Sequence, residues 1–135
     1  MAGREVVRSV LLDTNIWLEL LLGQEKAARV SRLLSETPVE RLHVTDFSLH
    51  SVGVILTRAG RLATLSRFLN DLLSPPGVSV VRLSPEELRL LPAISDRFEL
   101  DFDDAYQYAA ARCRGLALYS YDRHFDRTDL PRREP

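Results

Sequence analysis

Short apolar runs alternate with longer stretches of helical periodicity along this chain. Residues 6–12 form a nearly continuous β-rich run that stops at Asp13. A run of this kind predicts a strand buried on both faces, as in parallel sheets. Similar runs predict three further strands, at residues 42–45, 78–83 and 116–120.

Between these runs, apolar residues recur at spacings of three and four, which predicts amphipathic helices. Good N-cap residues, Thr14 and Asn15, follow the first strand, and Ser84 begins a capping-box pattern with Glu87. Gly115 predicts the end of the last helix. The predicted helices follow Asn15, span residues 25–35, follow Asp46, span residues 62–72, and begin near Ser84 and Asp101.

Strands that alternate with helices predict an α/β fold, with a short, mostly parallel central sheet covered by helices on both faces. The 135 residues contain no repeat, linker or low-complexity stretch, so we expect a single domain spanning residues 1–135. The apolar surface of the helices between residues 25 and 72 is large for a small domain, which suggests a homodimer.

Composition narrows the class of protein. Hydrophobic residues make up 45% and charged residues 27% of the chain, values typical of globular domains. Cys113 is the single cysteine, which excludes an intrachain disulfide and favours the cytoplasm. No apolar run approaches membrane-spanning length, and we expect no membrane association. The net charge of −1 argues against a generally basic nucleic-acid-binding surface.

Four aspartates follow predicted strands or begin predicted helices. Asp13 directly follows the first strand and Asp46 the second, and Asp122 follows the last strand with one residue between. Asp104 lies in the first turn of the helix that leads into the last strand. Ligands of open α/β sheets bind beyond the carboxyl ends of the strands, so these acids are predicted to converge there. Converging carboxylates repel each other unless they share a cation or a proton.

Oxygen ligands favour Mg²⁺ or Mn²⁺ over zinc, and such ions support phosphodiester cleavage. Each acid also has a structural interpretation, because Asp13, Asp101 and Asp104 are placed to cap helices and Asp122 to form a turn beside His124. The three histidines form no compact metal-binding motif, and no glycine-rich phosphate loop is present.

Three segments resemble PIN domains. The segment from Val10 to Leu18, VLLDTNIWL, resembles their opening strand with Asp-Thr/Ser-Asn. The segment from Leu100 to Ala110, LDFDDAYQYAA, resembles their Asp-Ala helix, and LYSYDRHF, from Leu118 to Phe125, resembles their last strand with Thr/Ser-x-Asp. The segments occur in family order, and the likeness is greatest to small bacterial PIN proteins of the VapC toxin type.

The resemblance implies a three-layer α/β/α fold and a Mg²⁺- or Mn²⁺-dependent endoribonuclease. By motif, Asp13, Asp104 and Asp122 correspond to catalytic, metal-binding acids. Ser120 and Asn15 correspond to residues that support the site, and Asp101 lies beside it at the start of the helix. The resemblance also implies an RNA substrate, a homodimer and a small antitoxin partner.

One family position departs from the pattern. PIN domains carry a glutamate early in the helix after the second strand, and Ser51 stands at that position here, preceded by His50. Three residues are alternative replacements for the glutamate: Asp46, His50 and Ser51. A further alternative is a site that works with three acids alone. A weakened domain that binds RNA or protein is therefore the second hypothesis. A phosphohydrolase with an aspartate nucleophile is the third, but Asn15 stands where its second aspartate belongs.

Overall fold

A five-stranded parallel sheet forms the centre of the molecule. The computed structural model describes residues 8–135, so positions 6 and 7 of the first predicted strand lie outside the described residues. The strand order is β3-β2-β1-β4-β5, and every pairing is parallel. The strands are β1 Val10–Leu12, β2 Leu42–Thr45, β3 Ser79–Val81, β4 Ala117–Tyr119 and β5 Arg132–Arg133.

Helices connect the strands and cover both faces of the sheet. The α-helices in the described part of the chain are α1 Thr14–Leu21, α2 Ala27–Glu36, α3 Asp46–Arg58, α4 Leu62–Leu73, α5 Pro85–Leu88, α6 Leu91–Phe98 and α7 Phe102–Arg114. Short 3₁₀ turns occur at Val39–Arg41 and Arg123–Arg127. Within residues 8–135, none of these helices has the length and apolar character needed to cross a membrane.

Two hydrophobic cores lie on opposite faces of the sheet. Leu12 of β1 packs with Trp17, Val52 and Phe68 in the core beneath α1, α3 and α4. Leu11, which points the other way, packs with residues of α6 and α7 in the second core. Both leucines are 0% exposed, because a central parallel strand is covered on both sides. This arrangement confirms the predicted three-layer α/β/α fold.

The predicted elements are present, with two differences that concern the site. Asp13, rather than Thr14 or Asn15, is the N-cap of α1 and accepts a hydrogen bond from the Thr14 N–H. The arginine-rich tail, where no strand was predicted, contributes β5, and Arg132 pairs with Leu118. β5 lies at the edge of the sheet and pairs with β4 on one side. Its two arginines show no apolar pattern that would predict a strand.

Candidate active site

The structure brings three of the predicted acids together at the carboxyl edge of the sheet. Asp13, Asp104 and Asp122 line one open cavity of about 270 Å³, together with Asn15 and Ser51. The loop after β1, the loop after β4 and the first turn of α7 carry the three acids. β1 lies between β2 and β4, so its carboxyl end is the natural meeting point of these loops. We call this cavity the acidic cleft.

The carboxylate of Asp13 is buried and held by four donors. Its Oδ1 accepts hydrogen bonds from the Thr14 N–H and from Gln107 Nε2, both at 2.8 Å. Its Oδ2 accepts one from Ser120 Oγ at 2.7 Å and a longer one from Asn15 Nδ2 at 3.4 Å. Burial raises the pKa of Asp13 above its ordinary value, and the bonds from Gln107 and Ser120 oppose that rise. Asp13 is therefore both a helix cap and a fixed wall of the cleft.

Ser120 and Asn15 connect the loops that follow β1 and β4. Ser120 Oγ, which donates to Asp13, accepts hydrogen bonds from the Asp122 N–H at 2.9 Å and from Asn15 Nδ2 at 3.2 Å. Asn15 Oδ1 accepts a bond from the Tyr121 N–H at 3.1 Å. These contacts fix the backbone that carries Asp122 relative to Asp13. They are the kind of support that the family resemblance implies for Ser120 and Asn15.

Gln107 is a site residue that the sequence reasoning missed. Its side chain is only 1% exposed, and its Nε2 donates to Asp13 Oδ1 and to Ser48 Oγ, each at 2.8 Å. Its Oε1 accepts a hydrogen bond from Thr45 Oγ1 at 2.8 Å. Gln107 thus joins α7 to both β1 and the start of α3. Its position three residues after Asp104, on the same helical face, was the available signal.

Asp104 and Asp122 form a compact cluster with His124. Their ligand atoms lie within 4.8 Å of one another. His124 Nδ1 is 3.2 Å from both Asp104 Oδ2 and Asp122 Oδ1. Burial, followed by repulsion from Asp122 and Asp101, raises the pKa of Asp104 to about 7, although the hydrogen bond with His124 lowers it. Burial and the neighbouring carboxylates thus disfavour the ionised form of Asp104, and a cation bound beside it would favour that form.

Asp101 supports the first turn of α7, which presents Asp104. Its Oδ1 accepts a hydrogen bond from the Asp104 N–H at 2.9 Å, and it is the N-cap of the helix. Asp101 is exposed, whereas Asp104 is buried. Asp101 therefore positions a cleft residue and does not line the acidic cleft itself.

The three alternatives for the missing glutamate occupy different places. Ser51 lines the acidic cleft from α3, whereas His50 is exposed and does not line it. The structure also leaves Asp46 outside the cleft, because its carboxylate turns toward Tyr106 and accepts a hydrogen bond from that hydroxyl at 2.7 Å. Asp46 is not the cap of α3 either, since Thr45 accepts the capping bond from the Ser48 N–H at 2.9 Å.

The donor set suits a hard divalent cation. The carboxylates of Asp13, Asp104 and Asp122 provide the oxygen atoms that Mg²⁺ and Mn²⁺ prefer. The nitrogen of His124 sits within the same cluster and is tolerated by Mn²⁺ more readily than by Mg²⁺. The sequence had given no metal-binding role to His124, because its spacing from the other histidines forms no motif.

Several known structures share the fold of this chain. VapC20 of Mycobacterium tuberculosis, described as a sarcin-ricin loop cleaving toxin, superposes with a TM-score of 0.80 at 20% identity, over 94% of this chain and 100% of that chain. FitAcB of Neisseria gonorrhoeae gives 0.70 at 17% identity, over 91% and 95%. A toxin-antitoxin complex from Klebsiella pneumoniae gives 0.68 at 20% identity, over 87% and 90%.

At these identities the structural likenesses establish the fold alone. A search of curated protein sequences finds no significant match. The sequence pattern of the PIN domain, however, matches residues 10–130, which include every acid of the cleft. The chain therefore belongs to the PIN domain family.

Proposed function

We propose that this protein is a divalent-metal-dependent endoribonuclease and the toxin of a toxin–antitoxin pair. The observation that carries the proposal is the acidic cleft of a PIN domain, where Asp104 and Asp122 lie within 4.8 Å of His124 beside the buried Asp13. Asp103 also lines this cavity, which thus has four aspartates and, among residues 8–135, no lysine or arginine in its walls, and such a cavity is suited to holding a metal ion against a phosphodiester.

Some residues of the cleft bind the ion, and others hold the binding residues in place. Asp104 and Asp122 hold the ion, and Asp13 completes the negative wall of the cleft. When bound, the ion supplies an activated water and stabilises the leaving oxygen. Gln107, Ser120 and Asn15 keep the Asp13 carboxylate in one orientation, so that it need not reorganise when RNA enters.

The proposed substrate and partners rest on the structural neighbours. VapC20 is described as a toxin that cleaves the sarcin-ricin loop, and the Klebsiella pneumoniae neighbour is a toxin-antitoxin complex. These descriptions support RNA as the substrate and a small antitoxin as the partner of this chain. An apolar groove between α1 and α4, lined by Trp17, Leu21 and Phe68, supplies surface for protein contacts.

We also propose a homodimer. Leu62 is 60% exposed and Leu73 45% exposed at the two ends of α4, and a partner subunit would cover them. Light scattering that gave a concentration-independent mass of 15.3 kDa would contradict the dimer.

An RNA-cleavage assay tests the proposed activity. The parent should cut single-stranded or structured RNA in Mg²⁺ or Mn²⁺ and be inactive in excess chelator. Asp13→Asn, Asp104→Asn and Asp122→Asn should each lower the rate by at least about a hundredfold while the protein stays folded. Asp71→Asn, which removes an exposed acid on α4, is the matched control and should cleave like the parent. Cleavage that persists in chelator contradicts the proposal.

The position of Ser51 favours a second candidate, an RNA-binding module with little catalytic power. Ser51 offers a neutral hydroxyl to the cleft where the family carries a carboxylate. The same assay separates the two functions: RNA that is bound but remains intact in saturating Mn²⁺ supports the binding module.

A further inference from the structure

A second cavity, of about 480 Å³, opens at the carboxyl ends of β2 and β3. Asp46, directly after β2, and Arg82, directly after β3, line it together with Tyr106 of α7 and Leu88 of α5. It shares no lining residue with the acidic cleft. We call it the side cavity. Its volume is within the range of pockets that hold small organic groups.

The side cavity is a neighbour of the acidic cleft. Phe47 lines the acidic cleft, and its ring centroid is 5.6 Å from that of Tyr106, which lines the side cavity. Asp104 and Tyr106 are two residues apart on α7 and point to different sides of the helix, so the two cavities adjoin only where Phe47 packs against Tyr106. An RNA strand with a phosphodiester in the acidic cleft would reach the side cavity by crossing this aromatic pair.

Asp46 presents one free oxygen to this cavity. Its Oδ1 accepts hydrogen bonds from the Phe47 N–H at 2.9 Å and from the Tyr106 hydroxyl at 2.7 Å. The Tyr106 hydroxyl in turn accepts a bond from the Leu83 N–H at 3.2 Å. Across residues 8–135, no hydrogen bond or ion pair reaches Asp46 Oδ2. The carboxylate is thus held in place by one oxygen while the other remains an acceptor.

The remaining walls suit a flat, partly apolar ring. Leu88 is 42% exposed, and Pro85 beside it is exposed as well. Bound bases are commonly held between apolar side chains while a polar group contacts their edge. Arg82 is exposed at the rim of the cavity and provides a cation for a phosphate.

We propose that the side cavity binds one base of the RNA next to the cleavage point, and that Asp46 Oδ2 accepts a hydrogen bond from the exocyclic amino group of that base. This inference rests on the proposed ribonuclease function. A carboxylate accepts from the N4 amino group of cytosine, whereas uracil presents a carbonyl oxygen at the same position. Asp46 therefore acts in base selection and has no part in metal binding.

Cytosine and uracil provide a matched pair of probes for this inference. Fluorescence anisotropy would measure the binding of labelled hexacytidylate and hexauridylate to Asp122→Asn, a background expected to leave RNA uncut. The cytidine oligomer should bind at least about tenfold more tightly, as expected for one hydrogen bond to a charged acceptor. Adding Asp46→Asn should reduce this ratio to about twofold or less, whereas adding Asp71→Asn should preserve it.

Two results of the anisotropy measurement would overturn the base-binding inference alone. Equal affinity for the two oligomers in the background, or a ratio that survives Asp46→Asn, overturns the inference and leaves the proposed ribonuclease intact. Failure of the background to bind either oligomer also overturns the inference, whereas the cleavage assay of the parent decides the ribonuclease separately. If Asp46→Asn does not fold, Leu88→Trp decides, because filling the cavity should also abolish the preference. A preference that persists in Leu88→Trp overturns the inference.

Discussion

Ser51 lines the acidic cleft from the second turn of α3. We align it with the glutamate that PIN domains carry early in this helix. A serine hydroxyl is short and neutral, so it contributes at most a weak ligand or a bound water. Ser51→Glu adds a carboxylate facing the cleft. We expect Mn²⁺ affinity to rise by roughly tenfold, because ligand charge tunes the affinity of such sites. Cleavage at limiting Mn²⁺ should increase with it.

Calorimetric titration with Mn²⁺ measures the effect of Ser51→Glu directly. Ser31→Glu, which places the same charge on the exposed face of α2, is the control and should leave the affinity unchanged. Equal affinity in the parent and in Ser51→Glu would show that Ser51 does not occupy the glutamate position of the site.

The raised pKa of Asp104 predicts how pH affects the metal-free protein. Its pKa is about 7 in the folded state against an ordinary value of 3.8, so the folded state binds this proton more tightly. The resulting stabilisation is fully present below pH 3.8 and is lost as the pH rises through about 7. In chelator, the free energy of unfolding should therefore decrease as the pH rises from 3.8 to about 7.

Asp104→Asn should show a smaller fall, because the titrating carboxyl is gone. The buried Asp13, whose pKa is also raised, would account for the decline that remains. Urea unfolding at a series of pH values compares the two proteins. Identical pH dependence would show that Asp104 does not experience the repulsion described here.

At the residue level, the sequence predicted the acids better than their supports. Asp13 and Asp122 could be placed because each follows an apolar run, and strand ends converge in a parallel sheet. Gln107 could not, because a glutamine in an amphipathic helix is usually solvent-facing. Only the packing of α7 onto the sheet, which buries residues 104–111, shows that Gln107 faces Asp13.

Among the elements, α7 is the one that the sequence described most completely. Asp101 begins it, and Gly115 ends it with φ of +65°, a left-handed conformation that glycine adopts without strain. β5 was missed because Arg132 and Arg133 show no apolar alternation. Backbone pairing with β4 and the bond from Arg132 to the Ser120 carbonyl hold this strand in place. Neither interaction is visible in a hydrophobicity pattern.

The N-cap residue of α7, Asp101, should contribute to the stability of the protein. Asp101→Ala removes the acceptor for the Asp104 N–H and should destabilise the protein by about 1 kcal/mol. Asp101→Asn keeps a capping oxygen and removes the charge that repels Asp104, so it should cost much less. Urea denaturation in the absence of metal measures both. Equal losses in the two variants would mean that the charge of Asp101, and not its cap, matters to α7.

At the scale of the molecule, strand order explains the site. β1 lies between β2 and β4, so the segments that follow these three strands meet at one edge of the sheet. The sequence predicted a parallel sheet but not its order, because neighbouring strands are chosen by tertiary packing. Because β2 neighbours β1, strand order alone also brings Asp46 to this edge, but its carboxylate turns toward Tyr106 and lines the side cavity.

RNA cleavage should require one divalent cation in the acidic cleft. A Mn²⁺ titration of the metal-free protein, followed in parallel by metal binding and by the initial rate of RNA cleavage, measures this requirement. Binding and rate should rise together with one midpoint in the parent, and both should be lost in Asp122→Asn. Cleavage that reaches its full rate before Mn²⁺ binds, or Mn²⁺ binding that Asp122→Asn leaves unchanged, would contradict this requirement.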